Sequence, residues 1–324
     1  MKTAGRLHRF GWFFWLKLSL MLLSIYFIYN HIQQESFLHY VLLLHNDFLS
    51  NSKSRLYIVL VIVLMLLNWI LEAVKWKYLT SVFYRQPVVA AIRAVLSGLA
   101  ISMLTPNRSG DFAGRIMHLP PGMRIEGTVF SVIGSIAQFL ITLITGCISL
   151  FYLNDKYFTM SKNYLIIAAV VTVFLLGALH YLFFNMYKYW HQLSKIKKLE
   201  KYSGIINDTS KLSASFLFKL YGLTLFRYAV FSMQFCLLLV AFHVQLPFVI
   251  SLCLVMISFL FISTVPSFAI TEIGIRGSIC IYFFSEFTDH LTGVLMASTA
   301  LWLINVATPA IAGAVSILYF KRGK

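Results

Sequence analysis

Two stretches of the sequence place an acid and an arginine shortly after a proline, inside otherwise apolar surroundings. In both, the acid follows the proline by five or six residues, and the arginine follows the acid by four. The two sets are Pro106, Asp111 and Arg115, and Pro266, Glu272 and Arg276. A proline ends the helix that precedes it, and on a restarted helix two residues four apart share a face and can pair. Each stretch therefore predicts a broken helix that carries an acid–arginine pair.

The likeness of the two stretches indicates a degenerate internal repeat. Arg108 lies in the first break itself, and Gly110 and Gly274 are further candidates for positions where the helices break. Half-helices that restart after the two prolines would present their positive N-terminal ends to anions. The predicted chemistry of both breaks is therefore the binding of a charged group.

The composition places these charges in a membrane. The chain is 59% hydrophobic and only 12% charged, and its mean hydropathy is +0.80. That leaves too little polar surface to cover a soluble globule of 324 residues. An ionisable group in a membrane costs several kcal/mol unless it is paired or faces a wet cavity, so each one is a functional candidate.

A further buried charge is expected at Arg227, which lies inside a long apolar stretch between Thr224 and Gln234. Its partner is expected to be Asp111, Glu272 or Glu72. Two readings stay open for all these charges: a structural ion pair that locks a broken helix to its scaffold, or a contact to a ligand headgroup. The residues that we expect to bind a substrate are Arg108, Asp111, Arg115, Arg227, Glu272 and Arg276.

Apolar length predicts an all-α fold, a polytopic membrane helix bundle that forms a single domain over residues 1–324. A span needs about 20 apolar residues. Six full spans are predicted at 13–30, 56–76, 127–152, 164–186, 216–243 and 291–319. The stretches 87–118 and 247–287 are too long for loops and too interrupted for clean spans. They are predicted to be re-entrant hairpins of opposite topology that meet near the membrane midplane, as in transporters with broken helices.

The basic residues predict the orientation. The chain has 27 basic and 11 acidic residues, and the basic ones cluster in short loops, which is the positive-inside pattern rather than a nucleic-acid surface. We expect both termini in the cytoplasm and the protein in a bacterial cytoplasmic membrane. The basic residues that indicate this orientation are Lys2, Arg6 and Arg9 at the N-terminus, Lys75, Lys77 and Arg85 after the second span, Lys188 and Lys211 after the fourth, and Lys321, Arg322 and Lys324 at the end.

Polar residues on the full spans allow two interpretations. Glu72 is either the partner of Lys75 at the interface or a functional acid. Stripes of polar residues on the third and last spans either pack helices together or form the wall of a hydrophilic groove. The stripes are Ser131, Ser135, Gln138, Thr142 and Thr145, and Ser298, Trp302, Asn305 and Pro309. Trp76 is expected in an interfacial belt.

Recognisable catalytic motifs are absent from the sequence. It contains no HExxH, GxSxG, Walker A or strand-linked GxGxxG pattern, and neither its histidines nor its four cysteines are spaced like metal ligands. No cofactor and no metal are therefore predicted, and enzyme activity is uncertain and disfavoured.

At the two breaks the sequence resembles the membrane domain of the lysylphosphatidylglycerol synthases, a family also described as flippase-like. The first element reads Pro106-x-Arg108-x-Gly110-Asp111-x-x-x-Arg115, with Asp where the family usually has Glu; the second is Pro266 followed by Glu272. It departs from the usual glycine-rich form at Ser267, Phe268 and Ala269. In the two-domain members of that family, the membrane part is implicated in moving aminoacylated phospholipid between leaflets, and a separate soluble domain makes that lipid. The resemblance implies flippase-like transport of a lipid and leaves its identity open.

The leading hypothesis is therefore translocation of a lipid with a polar, charged or aminoacylated headgroup through a groove between the hairpins. Arginines would hold the phosphate, while Asp111 and Glu272 would orient them or contact an amino group. The alternatives are an intramembrane headgroup transferase and an ion-coupled transporter of a small solute. The expected partner is a membrane lipid; a homo-oligomer or a separate lipid-modifying enzyme stays open as a further one.

Overall fold

The computed structural model describes residues 52–105, 108–154, 162–193, 203–265 and 269–318. Every regular element in these ranges is helical. The first predicted span at 13–30, both terminal groups of basic residues, and the prolines Pro106 and Pro266 lie outside the described residues.

Five helical segments are long and apolar enough to cross a membrane, and they match the five remaining predicted spans. They are Ser52–Thr80, Pro121–Tyr152, Asn163–Phe184, Ala214–Ala241 and Leu291–Leu318. The chain is thus a multi-pass membrane protein whose described part is an all-helical bundle, as predicted.

The helices are numbered here in chain order. The first half contains α1 (Ser52–Thr80), α2 (Val88–Ser102), α3 (Gly110–Ile116), α4 (Arg124–Tyr152), α5 (Lys162–Phe184) and α6 (Met186–Leu193). The second half contains α7 (Ser203–Ser210), α8 (Ala214–Ala241), α9 (Phe248–Thr264), α10 (Ala269–Phe284), α11 (Leu291–Trp302) and α12 (Thr308–Leu318). A single 3-10 turn, Pro121–Met123, precedes α4, and a π-helical segment, Leu303–Ala307, joins α11 to α12.

Local sequence explains where several helices begin. Pro87 and Pro247 stand directly before α2 and α9, where the missing backbone donor costs nothing. The hydroxyl of Ser213 accepts a hydrogen bond from the Phe216 amide and caps α8. The π-helical segment ends just before Pro309, whose ring cannot follow a regular α-helical turn.

The two predicted hairpins are pairs of short helices that pack against each other: α2 with α3, and α9 with α10. Their helices have 15, 7, 17 and 16 residues, fewer than the roughly 20 that cross a bilayer. Gly274 lies in the middle of α10, which runs without interruption from Ala269 to Phe284. The helix break predicted at Gly274 is therefore wrong, because the intrahelical bonds of α10 continue through a single glycine.

Two large apolar cores lie along the described part of the bundle, beside a small cluster of Trp302 and Val306. One joins α8 to α9, α10 and α11, and the other joins α1, α2 and α4 to the start of α8. On α8, Leu220 belongs to the second core and Tyr228 to the first, and Arg227 stands between them in the sequence. By contrast, none of the most apolar window of α5 is buried, so this helix lies at the periphery.

Candidate functional site

The break between α2 and α3 is built around Arg108 and Thr105. The Thr105 hydroxyl accepts a hydrogen bond from the Gly110 amide at 2.7 Å, which closes the turn onto the start of α3. A side chain at Gly110 would place its Cβ 2.6 Å from the Ile101 carbonyl oxygen, so only glycine fits at this point of the break. Arg108 has a φ of 55°, a left-handed conformation that is uncommon for a non-glycine residue and costs free energy.

Close backbone contact then fixes α3 against α2. A Cβ at Gly114 would lie 2.6 Å from the Gly98 amide nitrogen and would also overlap the Ser97 carbonyl oxygen. Two helices approach this closely only where both carry small residues. Asp111 and Arg115 are held next to α2 in consequence.

The first cluster of charges centres on Glu72 of α1, which is 6% exposed. Lys75 Nζ and Arg115 Nη1 each lie 2.7 Å from its carboxylate oxygens. Arg227 Nε lies 3.1 Å from Oε2, and its Nη1 donates to Gln138 Oε1 at 3.0 Å. Helices α1, α3 and α8 therefore meet at one carboxylate, and α4 joins them through Gln138.

Asp111 belongs to the same cluster through Arg115, whose Nη2 lies 2.8 Å from Asp111 Oδ2. The Arg115 guanidinium also faces the ring of Trp76, 5.7 Å from its centre, a cation–π geometry. Trp76 is completely buried, so its predicted place in an interfacial belt is wrong: the ring packs on Arg115 inside the bundle.

The second cluster joins the two hairpins through Glu272 of α10. Arg108 Nη2 donates to both carboxylate oxygens at 2.7 Å, and its Nε donates to Oε2 at 3.1 Å. Arg276 Nε donates to Oε1 at 2.7 Å, and its Nη2 lies 2.6 Å from the same oxygen. Because one carboxylate holds an arginine from each hairpin, the tips of α2–α3 and α9–α10 are in contact.

Two cavities border these clusters. The larger, about 450 Å³, has Arg108, Glu272 and Arg276 on its polar side. Its remaining lining combines Gln138, Thr142, Ser263 and Thr264 with the apolar Tyr228, Phe231, Phe259, Ile262 and Val265. The smaller, about 80 Å³, has Glu72 and the guanidinium groups of Arg108, Arg115, Arg227 and Arg276 among its lining. Arg108, Phe231 and Arg276 line both cavities and therefore form the boundary between them.

The charges in the two clusters do not balance. Five cationic side chains surround three carboxylates, which gives a net charge of +2. The cations are Lys75, Arg108, Arg115, Arg227 and Arg276, and the carboxylates are Glu72, Asp111 and Glu272. An excess of positive charge inside a membrane bundle favours an anionic ligand. Among the described residues no group of acids, histidines and cysteines is arranged to hold a metal ion.

The structure brings all six sequence-predicted site residues into these two clusters. The acid–arginine pairs expected four residues apart are present in both hairpins, and of the three partners proposed for Arg227 it contacts Glu72. Glu72 itself was missing from the predicted binding residues. Its signal was the spacing of Asn68, Glu72 and Lys75, which puts three polar groups on one face of an otherwise apolar span.

Gln138 and Thr142 of the first polar stripe line the larger cavity, whereas Thr145 donates to the Tyr228 hydroxyl at 2.9 Å and joins two helices. In the second stripe, Asn305 lines the smaller cavity and accepts a hydrogen bond from Asn68 at 2.9 Å. Each stripe therefore contributes to both packing and the cavity wall. Lys75 is buried and pairs with Glu72 in the first charge cluster. Its placement on the cytoplasmic side stays a prediction.

The family model of the lysylphosphatidylglycerol synthase TM region matches residues 14–313. The chain belongs to this family. Comparison with curated individual proteins finds no match. The matched residues include both hairpins and every charged residue of the two clusters. Membership of the family indicates a function connected with membrane lipids.

Proposed function

We propose that this protein moves a lipid with a polar, charged or aminoacylated headgroup between the leaflets of a bacterial cytoplasmic membrane, with both of its termini in the cytoplasm. The observation that carries the proposal is the 450 Å³ cavity, where Arg108 and Arg276 face apolar walls within a membrane bundle. Such a cavity suits an amphipathic molecule, because the charged side receives a headgroup while the apolar side accepts the hydrocarbon next to it.

The geometry of the second cluster supports phosphate as the group that is recognised. A guanidinium binds phosphate and carboxylate through the same planar pair of donors. Both Arg108 and Arg276 already donate to the oxygens of Glu272. A phosphate that enters the cavity can therefore take over some of these hydrogen bonds without leaving either arginine unpaired.

The boundary between the cavities supports a path past Arg108. Its side chain is 35% exposed, against 12% for Arg276 and 5% for Glu272, so Arg108 is the member of the cluster that a headgroup reaches most easily. Beyond it lie the guanidinium groups of Arg115 and Arg227. The headgroup would pass from one arginine pair toward the next while its acyl chains stay in the bilayer. An amino group on an aminoacylated headgroup would contact Glu272 or Asp111.

The test is reconstitution of the wild type and of Glu272→Gln in liposomes that contain fluorescent phosphatidylglycerol, with lipid crossing measured by dithionite quenching. The variant keeps the size of the side chain but removes the charge that orients two arginines. We expect its crossing rate to fall about tenfold or more, the usual effect of losing a single interaction worth at least 1.4 kcal/mol.

Asp208→Asn is the matched control, because it also removes one carboxylate. Asp208 lies on α7 and pairs with Lys211, whose side chain is 54% exposed. Crossing at the wild-type rate in both variants would contradict the proposal. A chemically altered lipid recovered from the liposomes would favour the transferase alternative, and solute uptake without lipid crossing would favour the solute transporter.

A further inference from the structure

A third cavity lies at the corner between α1 and α2, apart from the charge clusters. It has a volume of about 510 Å³ and is lined by Lys77, Ser81, Arg85, Gln86 and Pro87. None of these residues lines either cavity of the candidate site. The corner is thus a separate place at which a ligand can bind.

Its two cations differ from those of the candidate site. Lys75, Arg108, Arg115, Arg227 and Arg276 all have a carboxylate partner. Lys77 and Arg85 are exposed, and no described carboxylate pairs with them. Two unpaired cations beside one cavity attract an anion.

The start of α2 adds donors to the same cavity. Pro87 precedes this helix of 15 residues in an extended conformation, and no side chain caps the first turn. The amides at the start of a helix point outward and carry the positive end of its dipole, which suits a phosphate. The corner therefore offers both charge and backbone donors to an anion.

Gln86 gives the second and independent indication of a ligand. The residue is 5% exposed, and its Nε2 donates to Thr80 Oγ1 at 2.9 Å. Its Oε1 is buried and receives no hydrogen bond from any described residue, although the side chain lines the cavity. A buried acceptor without a donor is costly, so a molecule in this cavity gains by supplying a hydroxyl or an ammonium group.

We propose that the α1–α2 corner binds a phosphate ester that carries a hydroxyl or ammonium group beyond its phosphate, as glycerol-type phospholipid headgroups do. Lys77, Arg85 and the start of α2 hold the phosphate, and Gln86 Oε1 accepts from the donor group. The site is independent of the translocation proposed above. The corner follows the end of α1, where a phospholipid headgroup is available at the membrane surface.

The test uses the full chain in detergent and measures its binding of short-chain phosphatidylglycerol by native mass spectrometry. Lys77→Ala combined with Arg85→Ala is expected to weaken one lipid-binding event about tenfold or more. The matched control is Arg55→Ala combined with Lys188→Ala, which removes two exposed cations elsewhere and should leave binding unchanged. Unchanged affinity in the first double variant, or an equal loss in both, would overturn the proposal.

Gln86→Leu tests the recognition of the donor group. The probes are phosphatidylglycerol and phosphatidylmethanol, which carry the same charge but differ in their headgroup hydroxyls. Wild-type protein is expected to prefer phosphatidylglycerol about fivefold, the usual effect of one net hydrogen bond, and the variant should bind both equally. Equal affinities in the wild type would overturn this part of the assignment.

Two further experiments show which site binds the lipid and whether the ligand is a membrane lipid or a soluble phosphate ester. Arg276→Gln in the candidate site should keep the binding event that the corner variant loses, so a failure of the translocation proposal is distinguishable from a failure of this one. Binding of glycerol 3-phosphate as tight as that of the short-chain lipid would assign the site to a soluble phosphate ester. Much weaker binding would assign it to a membrane lipid. Both results support the site and identify the origin of its ligand.

Discussion

Glu72 stands at the point where side chains from several helices share one carboxylate. It contacts Lys75, Arg115 and Arg227 within 3.1 Å. Ion pairs at a protein surface contribute little to stability, but removing one partner of a buried group leaves uncompensated charge. Glu72 is therefore expected to matter for folding at least as much as for ligand binding.

Glu72→Gln should destabilise the protein strongly. The variant leaves the buried Lys75 and Arg115 and the partly exposed Arg227 with the charge of Asp111 as their nearest compensation. The expected loss is about 3–5 kcal/mol in the free energy of unfolding. Thermal unfolding in detergent measures the change. Asp208→Asn is again the control and should cost less than about 1 kcal/mol. A thermal midpoint for Glu72→Gln equal to that of the control would contradict the structural role of this carboxylate.

Sequence reasoning found the pairs that lie within one helix, and it named Glu72 among three partners for Arg227. It missed the bond between the two hairpins, which depends on tertiary structure. A spacing of four residues was enough to predict Asp111 with Arg115 and Glu272 with Arg276, both of which are present. The bond between Arg108 and Glu272 joins residues 164 positions apart. No local pattern records that separation, because it follows from how the two hairpins pack.

At the scale of elements, the contact between α2 and α3 depends on glycine. Gly114→Ala should disrupt it, since the new Cβ would meet the backbone of Ser97 and Gly98, which has little freedom to move. The variant should lose thermal stability and lipid crossing together, because Asp111 and Arg115 move with α3.

Gly222→Ala on α8 is the matched control for this variant. Its Cβ would have no neighbour within 4 Å, so the substitution should be neutral or stabilise the helix by up to about 1 kcal/mol. Measuring thermal midpoints of both variants checks the prediction. Equal midpoints would show that the two helices can separate without consequence.

The spans were predicted to within a few residues at most of their ends, as 56–76 shows beside Ser52–Thr80. A long apolar run in a membrane forms a helix, because its backbone groups must form their hydrogen bonds within the protein. Shorter elements were harder. Trp76 was assigned to an interfacial belt because it stands near the end of an apolar run, and the sequence does not show that Arg115 of α3 packs on its ring.

For the whole molecule, the predicted orientation can be tested by labelling introduced cysteines from one side of the membrane. Lys188→Cys and Asp289→Cys occupy exposed positions on either side of the predicted topology. In right-side-out vesicles, an impermeant maleimide should label position 289 and leave position 188 unlabelled. The parent protein, with its four native cysteines, provides the background. Labelling of both positions from outside would contradict cytoplasmic placement of the segment after α5.

The central claim is that the arginines between the hairpins carry the phosphate of a lipid headgroup. Arg276→Gln tests it most directly, because Glu272 keeps its bonds to Arg108 while the cavity loses one guanidinium. The measurement is the initial rate at which fluorescent phosphatidylglycerol crosses liposomes that contain equal amounts of wild-type or variant protein of matched thermal midpoint. We expect the variant to be slower by about tenfold or more; equal rates would contradict the claim.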